Sequence, residues 1–337
     1  MAPKPRTGKP KEESELLTAL RFIKIAQYAS DDVKAQAAYQ SHCWFADGQV
    51  VGFNGILAAG YPCSEEMPAC PNTMLFIKAL EKVRGAYSLT LLNNAQLSVA
   101  SSVFKAFVPC IPLGALERVQ ADPGLWDMGD EWRRAAVEAG TFCADGEQTV
   151  LGASLMSSSH SLVGTNGSAL IEAWHGFGMP EGLLIPMAFV DAIAKIPLKL
   201  AKFGFTENQS LTFYFENGAW LRTQLYQEGV PNVGRVLNGL NMSACTQIPA
   251  DFYAAIDAVS PFCETSAIHI TTNSIRSHDS ADKGASYIVD GLPFARTFNH
   301  QWLSKIRAFV SKADFTTNED KAVFLGDKVR VVIMAMK

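Results

Sequence analysis

The stretch MAFVDAIAKIPLKLAK (187–202), followed by SLTFYF (210–215), the pair Asn217-Gly218 and AWLRTQLY (219–226), decides the fold. Its first part has the amphipathic spacing of a helix, and the two later runs have the apolar and aromatic character of strands. An Asn-Gly pair between two such runs is a strong short-range signal for a β-hairpin. The stretch therefore predicts a helix followed by a hairpin.

The same order of elements occurs twice more along the chain. Residues 72–84 precede SLTLL (88–92), the pair Asn93-Asn94 and QLSVAS (96–101). Residues 300–312 precede KAVFL (321–325), the pair Gly326-Asp327 and VRVVIMAM (329–336). The three predicted helices start at residues 72, 187 and 300, so the spacing is nearly constant, which indicates an internal repeat.

A second set of helices supports the repeat. These helices are predicted over residues 15–28, 131–140 and 249–260, and strand-like runs such as CWFADGQVVGF (43–53) follow each of them. We predict an α+β fold of three repeated domains, each with two helices on one face of an antiparallel sheet. Open sheet edges would then pair with a neighbouring repeat or with another subunit.

Polar connectors containing Gly, Pro and Asn give the domain boundaries. They predict a disordered basic tail over residues 1–14 and domains over residues 15–118, 119–240 and 241–337.

Composition excludes several classes of protein. The chain has 337 residues, of which 48% are hydrophobic, and a formal net charge of −4, so neither a disordered chain nor a uniformly basic nucleic-acid coat is expected. No apolar run is long enough to span a membrane, and no apolar stretch follows the N-terminal lysines as in a secretory signal. The seven cysteines form no Cys-x-x-Cys pair, which favours reduced thiols and a cytoplasmic location.

Positive charge is concentrated on the predicted helices, where basic residues outnumber acidic ones. The basic residues are Arg21, Lys24, Lys78, Lys82, Arg84, Arg133, Arg134, Lys195, Lys199, Lys202, Lys305, Arg307 and Lys312. One interpretation is a face that neutralises phosphates without reading bases. The other is an ordinary solvated helix surface.

Catalytic motifs are not found in the sequence. The six histidines form no His-Glu-x-x-His pattern, and no Gly-x-x-x-x-Gly-Lys-Ser/Thr loop is present. We therefore predict no catalytic residues, no metal ligands, no cofactor and no enzymatic activity. A hydrolase using Ser159 and His160 is kept as a minor alternative.

Four segments resemble the bacterial DNA polymerase III beta sliding clamp family, in a divergent form such as phages carry. The end of the chain, Val332-Ile333-Met334-Ala335-Met336-Lys337, is similar to the family ending in which two apolar residues precede Met-Pro-Met-Arg. Residues 230–237 (VPNVGRVL) resemble Phe-Pro-Asp-Tyr-Arg-Arg-Val-Leu, and residues 165–170 (TNGSAL) resemble Thr-Asp-Gly-His-Arg-Leu. Phe298-Asn299 with Trp302-Leu303 resembles the family's Phe-Asn-x-x-Tyr-Leu.

This resemblance implies a homodimeric ring around double-stranded DNA, bound without sequence preference. It also implies a hydrophobic groove for short peptides of a DNA polymerase and a clamp loader, in the replisome of a bacterial or phage-infected cell. The groove would consist of Leu151, Thr165, Gly167, Leu170, Pro231, Arg235, Val236, Ala322, Val332, Ile333, Met334 and Met336. Subunits would meet through residues 103–108 and 258–262.

Three departures from the family pattern affect the groove. Ser168 and Ala169 replace His-Arg, and Ala335 replaces Pro, so the groove is expected to be shallower or to prefer a different peptide. These departures keep an alternative open, in which the chain is a clamp-fold adaptor that binds peptides without encircling DNA. Closure of a ring by two or by three subunits is also left open.

Overall fold

The structure of the chain, a computed structural model, describes residues 14–27, 37–115, 118–143, 149–229, 232–292 and 295–336. The predicted basic tail, apart from Ser14, and the predicted groove residue Pro231 lie outside these residues.

The helices fall where the repeat places them, two in each predicted domain, with one further helical turn near the end of the second predicted domain. They are α1 (Glu15–Gln27), α2 (Thr73–Lys82), α3 (Asp130–Ala139), α4 (Met187–Lys195), α5 (Gly234–Leu237), α6 (Phe252–Val259) and α7 (His300–Ile306). Asn72 and Asn299 cap α2 and α7, because their side-chain oxygens accept hydrogen bonds from the N–H groups of Leu75 and Gln301.

The strands form antiparallel sheets throughout the described residues. They are β1 (Cys43–Ala46), β2 (Gln49–Phe53), β3 (Leu57–Pro62), β4 (Cys70–Pro71), β5 (Tyr87–Leu92), β6 (Gln96–Ser101), β7 (Lys105–Ile111), β8 (Trp126–Asp127), β9 (Ser154–Ser157), β10 (Ser161–Thr165), β11 (Ala169–Trp174), β12 (Leu184–Pro186), β13 (Leu200–Thr206), β14 (Ser210–Phe215), β15 (Trp220–Gln224), β16 (Thr246–Gln247), β17 (Ala267–Ile270), β18 (Ser274–Arg276), β19 (Ser286–Ile288), β20 (Arg296–Asn299), β21 (Lys312–Asp314), β22 (Lys321–Gly326) and β23 (Val329–Met334).

The chain divides into two compact units, and each contains elements of two successive repeats. The first unit is Met1–Asp127 with Asp191–Gln224, and the second is Met128–Val190 with Leu225–Lys337. In the first unit β3 pairs with β15, which joins the first repeat to the second in one seven-stranded sheet. In the second unit β11 pairs with β23, which joins the second repeat to the third in an eight-stranded sheet. The expected pairing of sheet edges between repeats is therefore present.

Helices cover one face of each large sheet, as predicted. In the first unit α1 packs on β2 and β3, and in the second unit α3 packs on β10 and β11. Gly164 in β10 allows α3 to approach the sheet closely, since a Cβ at this position would lie 2.0 Å from the carbonyl oxygen of Ala139 in α3. The predicted α+β architecture of repeated helix-and-sheet modules is confirmed.

Two helices are shorter than predicted. The helix predicted over residues 187–202 ends at Lys195, because Pro197 cannot continue a helix, so Lys199 lies in a loop and Lys202 in β13. The helix predicted over residues 300–312 ends at Ile306. Lys312 instead lies in β21, opposite Leu325 of β22, because hydrogen bonds to the sheet replace those of the helix.

Candidate functional site

The predicted groove residues lie mostly around one face of the eight-stranded sheet in the second unit. Leu170 lies opposite Val332 on β23 and opposite Thr165 on β10. Residues directly opposite each other in an antiparallel pair share a face, and so do alternate residues along a strand. Thr165, Leu170 and Val332 therefore share the face turned away from α3, which we call the outer face.

Residues 225–229 and 232–240, after β15, cover part of the outer face. Their apolar side chains Tyr226, Val233, Val236, Leu237 and Leu240 pack against an apolar cluster of the sheet. That cluster is formed by Met156, Val163, Leu170 and Leu184. A cleft of about 10 Å³, the space of roughly one water molecule, remains between Val233 and the strands.

The structure divides the predicted groove residues into three groups. Leu151 and Thr165 line the cleft, Leu170 and Val236 belong to the apolar cluster, and Val332 and Met334 follow on the same face of β23. Gly167, Arg235 and Met336 are exposed at the rim of these elements. Ala322 and Ile333 lie opposite each other on the other face of the sheet and are 0% exposed, so they lie behind the outer face and cannot touch a molecule bound on it.

Sequence reasoning missed Met156, Val163, Val233, Leu237 and Leu240, which complete the apolar surface. A signal was present for some of them, because Val233, Leu237 and Leu240 have the spacing of one face of a helix. Met156 and Val163 lie opposite each other on β9 and β10, and only the strand register shows that they share a face with Leu170.

A buried ion pair lies beside the groove residues on the outer face. Glu172 is two residues after Leu170 on β11, so it shares the outer face, and it lies opposite Arg330. Its Oε2 accepts hydrogen bonds from Nε and Nη2 of Arg330, both at 2.5 Å, and its Oε1 accepts one from Ser161 Oγ at 2.7 Å. The guanidinium of Arg330 also lies 5.2 Å from the ring centre of Trp174. The pair ties β11 of the second repeat to β23 of the third.

His175 follows β11 and is 4% exposed. Its Nδ1 accepts a hydrogen bond from the N–H of Phe177 at 3.1 Å, and the two rings are stacked. Burial, which disfavours the charged imidazolium, lowers the pKa of His175 from 6.5 to about 4, and the nearby positive groups His160 and Arg134 act in the same direction.

The predicted phosphate-contacting residues differ in whether their side chains already form ion pairs with acidic residues. Arg21, Arg133, Arg134 and Arg307 form ion pairs with Glu81, Asp130, Glu138 and Asp257. Lys305 donates to the carbonyl oxygen of Thr141 at 3.4 Å. The remaining residues form no ion pair within the described part of the chain, and these are Lys24, Lys78, Lys82, Arg84, Lys195, Lys199, Lys202 and Lys312.

Among the strands with an unpaired edge within the described ranges, β19 and β7 carry exposed apolar side chains on or next to them. β19 forms one end of its four-stranded sheet and pairs with β18 alone, and its residue Ile288 is 75% exposed. β7 pairs with β6 along its length but with β4 only at Cys110 and Ile111, which leaves residues 105–109 open on that side. A cavity of about 520 Å³ lies next to β7 and is lined by Leu75, Phe104 and Phe107, with Lys78 and Lys82 also on its wall.

No catalytic or metal-binding arrangement accompanies these surfaces in the described ranges. No group of three or more His, Cys, Asp or Glu side chains there is placed to hold a metal ion. Likewise, none of the helices described is both long and apolar enough to cross a lipid bilayer. The arrangement that the described residues do offer is an apolar surface suited to peptide contacts, together with exposed lysines suited to phosphate contacts.

Solved structures of DNA polymerase III beta subunits share this fold. A sliding clamp from Pseudomonas aeruginosa matches with a TM-score of 0.77 at 12% identity, over 96% of this chain and 97% of that one. A putative beta subunit from Eubacterium rectale matches with a TM-score of 0.76 at 11% identity, over 96% and 97% of the two chains. The Helicobacter pylori beta clamp bound to a DNA ligase peptide matches with a TM-score of 0.73 at 12% identity, over 96% and 98%. The predicted sliding-clamp fold is confirmed.

At the level of families and curated proteins, the chain has no such match. No protein-family model matches it, and no curated protein does.

Replacing Glu172 tests the buried ion pair. Glu172→Ala leaves Arg330 charged and unpaired in a buried place, so we expect the free energy of unfolding to fall by about 3–5 kcal/mol. The double variant Glu172→Leu with Arg330→Met removes both charges and should recover most of this loss. Urea denaturation measures both, and equal losses in the single and double variants would contradict a coupled pair.

The depressed pKa of His175 makes a second prediction. Between pH 6.5 and about 4 the unfolded chain binds a proton at this histidine and the folded chain does not, so stability falls as the pH is lowered through this range. The full loss is about 3 kcal/mol. His175→Asn should flatten the dependence of the urea midpoint on pH, whereas His160→Asn, which removes only a minor cause of the lowered pKa, should change it much less. An unchanged slope in the His175 variant would refute the assignment.

Proposed function

We propose that this chain, which has the fold of the DNA polymerase III beta sliding clamps, is itself a non-catalytic sliding clamp. The observation that carries the proposal is the match of that fold over 96% of the chain. In this function a closed ring surrounds duplex DNA and tethers a polymerase, so that rebinding is intramolecular and the effective concentration stays high.

The strand pairing supports a ring built from two copies. In both large sheets the third strand of one repeat pairs with the last strand of the next repeat, as β3 does with β15 and β11 with β23. The same rule leaves β19 of the third repeat and β7 of the first repeat to find partners on another copy. A head-to-tail homodimer would satisfy both edges.

Apolar side chains at these places support the same interface. Val103 is 74% exposed, Phe107 51%, Phe262 61% and Ile288 75%. Val103 and Phe107 belong to the segment 103–108 that the sequence predicted for the subunit contact, and Phe262 ends the predicted segment 258–262. Burying such groups against a second copy stabilises association by about 25 cal/mol for each Å² removed from water.

The unpaired lysines supply the proposed contacts with DNA. Ion-paired arginines would have to exchange an acidic partner for phosphate, whereas Lys78, Lys82, Lys195, Lys199 and Lys202 would not. Contacts of this kind depend on charge and not on base sequence, and they are weak enough singly for the ring to slide.

The outer face of the second unit is the proposed peptide site. The H. pylori structure contains a DNA ligase peptide bound to a beta clamp, and here the apolar cluster of Leu170 and Val236 would receive a peptide of a polymerase or clamp loader. Methionines such as Met334 and Met336 adapt their shape to different peptides. The proposal places the chain and these partner proteins in the replisome of a bacterial or phage-infected cell.

A clamp-fold adaptor that does not encircle DNA is the second candidate. It is favoured by α6, which has no lysine or arginine, and by the four arginines whose charges are already paired. The behaviour of the protein on circular DNA separates the two functions.

A closed ring should be held on DNA by topology. We expect the chain, concentrated together with nicked circular DNA, to remain on the circles during gel filtration and to be released when a restriction enzyme linearises them. Ile288→Asp should sediment as a monomer and should not be retained, because the charge disfavours pairing at β19.

Two further results would decide the same proposal. Lys195→Glu with Lys199→Glu and Lys202→Glu should reduce retention at physiological salt while leaving the dimer intact, and Lys283→Glu serves as the control. Release that does not depend on linearisation would refute encirclement and favour the adaptor.

The groove is tested with the ligase peptide as the probe. Val236→Asp places a charge on the half-buried apolar surface, so we expect the affinity for the H. pylori ligase peptide to fall by about tenfold or more. Val137→Asp, which alters an exposed position on α3, is the matched control. Fluorescence anisotropy measures both, and equal affinities in the two variants would contradict the groove assignment.

A further inference from the structure

The sheet of the first unit has a face turned away from α1, which we call the first-unit outer face. The side chain of Gln27 in α1 lies 3.0 Å from where a Cβ of Gly52 would stand, so Val51, the residue before Gly52, points to the opposite side of the sheet. Residues opposite one another in neighbouring antiparallel strands share a face. The row on the first-unit outer face that contains Val51 consists of Trp44, Val51, Gly60, Trp220 and Tyr214.

Two tryptophans of this row form a flat apolar floor. Gly60 allows the indole of Trp220 to lie directly on the sheet, since a Cβ at this position would come within 2.3 Å of the ring. The indole N–H of Trp220 donates to Gln49 Oε1 at 2.7 Å. Trp44 and Trp220 are 3% and 4% exposed, so packing holds the floor in place.

A cavity of about 360 Å³ lies over this floor and is lined by residues 118–121 and by the β1–β2 hairpin. Its volume is in the range of ligand-binding pockets. The charged residues that line it are Asp47 and Arg118, one of each sign, so the lining has no net charge. The cavity therefore suits an uncharged apolar group better than an ion.

Residues 118–121, in the connector between the first and second repeats, have the pattern of an extended chain. Val119 and Ala121 pack against the apolar cluster that contains both tryptophans, whereas Arg118 and Gln120 are exposed. Side chains that alternate in this way are typical of a strand. The segment thus resembles a strand in shape, although it belongs to none of the sheets described above.

The main chain of this segment is open to a partner. Within the part of the chain that the structure describes, no N–H or C=O group of residues 118–121 takes part in a hydrogen bond with protein. The next residue is anchored, since the N–H of Asp122 donates to Thr212 Oγ1 at 2.9 Å and its carboxylate accepts from Ser210 Oγ at 2.8 Å. An extended peptide can pair with such an open and anchored main chain, as in β-strand addition.

We propose that this cavity and the open main chain of residues 118–121 form a docking site for an extended segment of a partner protein. A large uncharged apolar side chain of the segment enters the cavity and packs on Trp44 and Trp220. The main chain of the segment pairs with residues 118–121. The proposal is independent of the proposed clamp function, because it needs neither DNA nor the peptide site of the second unit.

A library of random heptapeptides displayed on phage is the probe. It is selected on the full-length Val236→Asp variant, so that peptides specific for the site of the second unit are not enriched. We expect the enriched peptides to share one large apolar residue and to bind the wild-type protein and this variant with equal affinity. A selection that enriches no peptide, or only peptides without such a residue, would overturn the proposal.

Filling the cavity locates the bound peptide. Ala46 is exposed and lines the cavity, so Ala46→Trp should place an indole in it and lower the affinity for an enriched peptide by about tenfold or more. Ala281→Trp makes the same change at an exposed position in the third repeat and is the matched control. Fluorescence anisotropy measures both, and equal affinities in the two variants would contradict this location.

Hydrogen exchange tests the main-chain pairing. In the free full-length protein we expect the amides of residues 118–121 to exchange rapidly, and with the enriched peptide bound they should exchange about tenfold more slowly or less. Exchange over residues 232–240 should not change. Unchanged exchange at residues 118–121 would refute the pairing. Slow exchange already present in the free protein would show that another segment of this chain or a second copy fills the site, and it would overturn the assignment to a partner protein.

Discussion

The pairing of β3 with β15 and of β11 with β23 is the constraint on which the rest of the structure depends. A strand at the edge of a sheet presents unpaired N–H and C=O groups, and each repeat in isolation would leave such edges open. Pairing with the neighbouring repeat satisfies them and turns two short sheets into one long one. Val331 and Ile333 on β23 are 0% exposed, so the seam is also part of the apolar core.

The seam also creates the outer faces. Because two repeats contribute to each large sheet, the surface opposite the helices is wider than one repeat could supply, and the connector to the next repeat crosses it. In the second unit the connector contributes Val233, Val236 and Leu237 to the apolar cluster. In the first unit residues 118–121 take the equivalent place above Trp44 and Trp220. The same pairing of strands across repeats thus produces a broad surface opposite the helices in each unit.

The polar groups on these two surfaces follow from the same geometry. Glu172 and Arg330 face each other only because β11 and β23 pair in this register. A charge buried alone at either position would cost several kcal/mol, so the two must be present together. In the first unit Asp122 accepts hydrogen bonds from Ser210 and Thr212, both at 2.8 Å, and its backbone carbonyl accepts one from Tyr214. These bonds attach the connector to β14.

Local pattern was sufficient for most elements of the fold. The hairpins at 88–101, 210–226 and 321–336 were predicted within a few residues, because alternating apolar residues and turn residues act over short distances. The positions of Lys199, Lys202 and Lys312 were predicted wrongly. Helical periodicity continues in the sequence after the helices have ended, the first at Pro197 and the second where the chain pairs with the sheet. Thr165, Leu170 and Val332 were placed together on a resemblance, whereas Met156 and Val163 required the register.

The sequence by itself determined the repeat, the two helices of each module and the segregation of charge, because these are properties of neighbouring residues along the chain. Only the tertiary structure decided which strands meet across repeats, which residues share a face, and that Val332 lies on the outer face while Ile333 lies on the face behind it. The physical reason is that the side chains of a strand alternate between faces, so their roles depend on the partner strand and its register, which are set by contacts between residues far apart in the sequence.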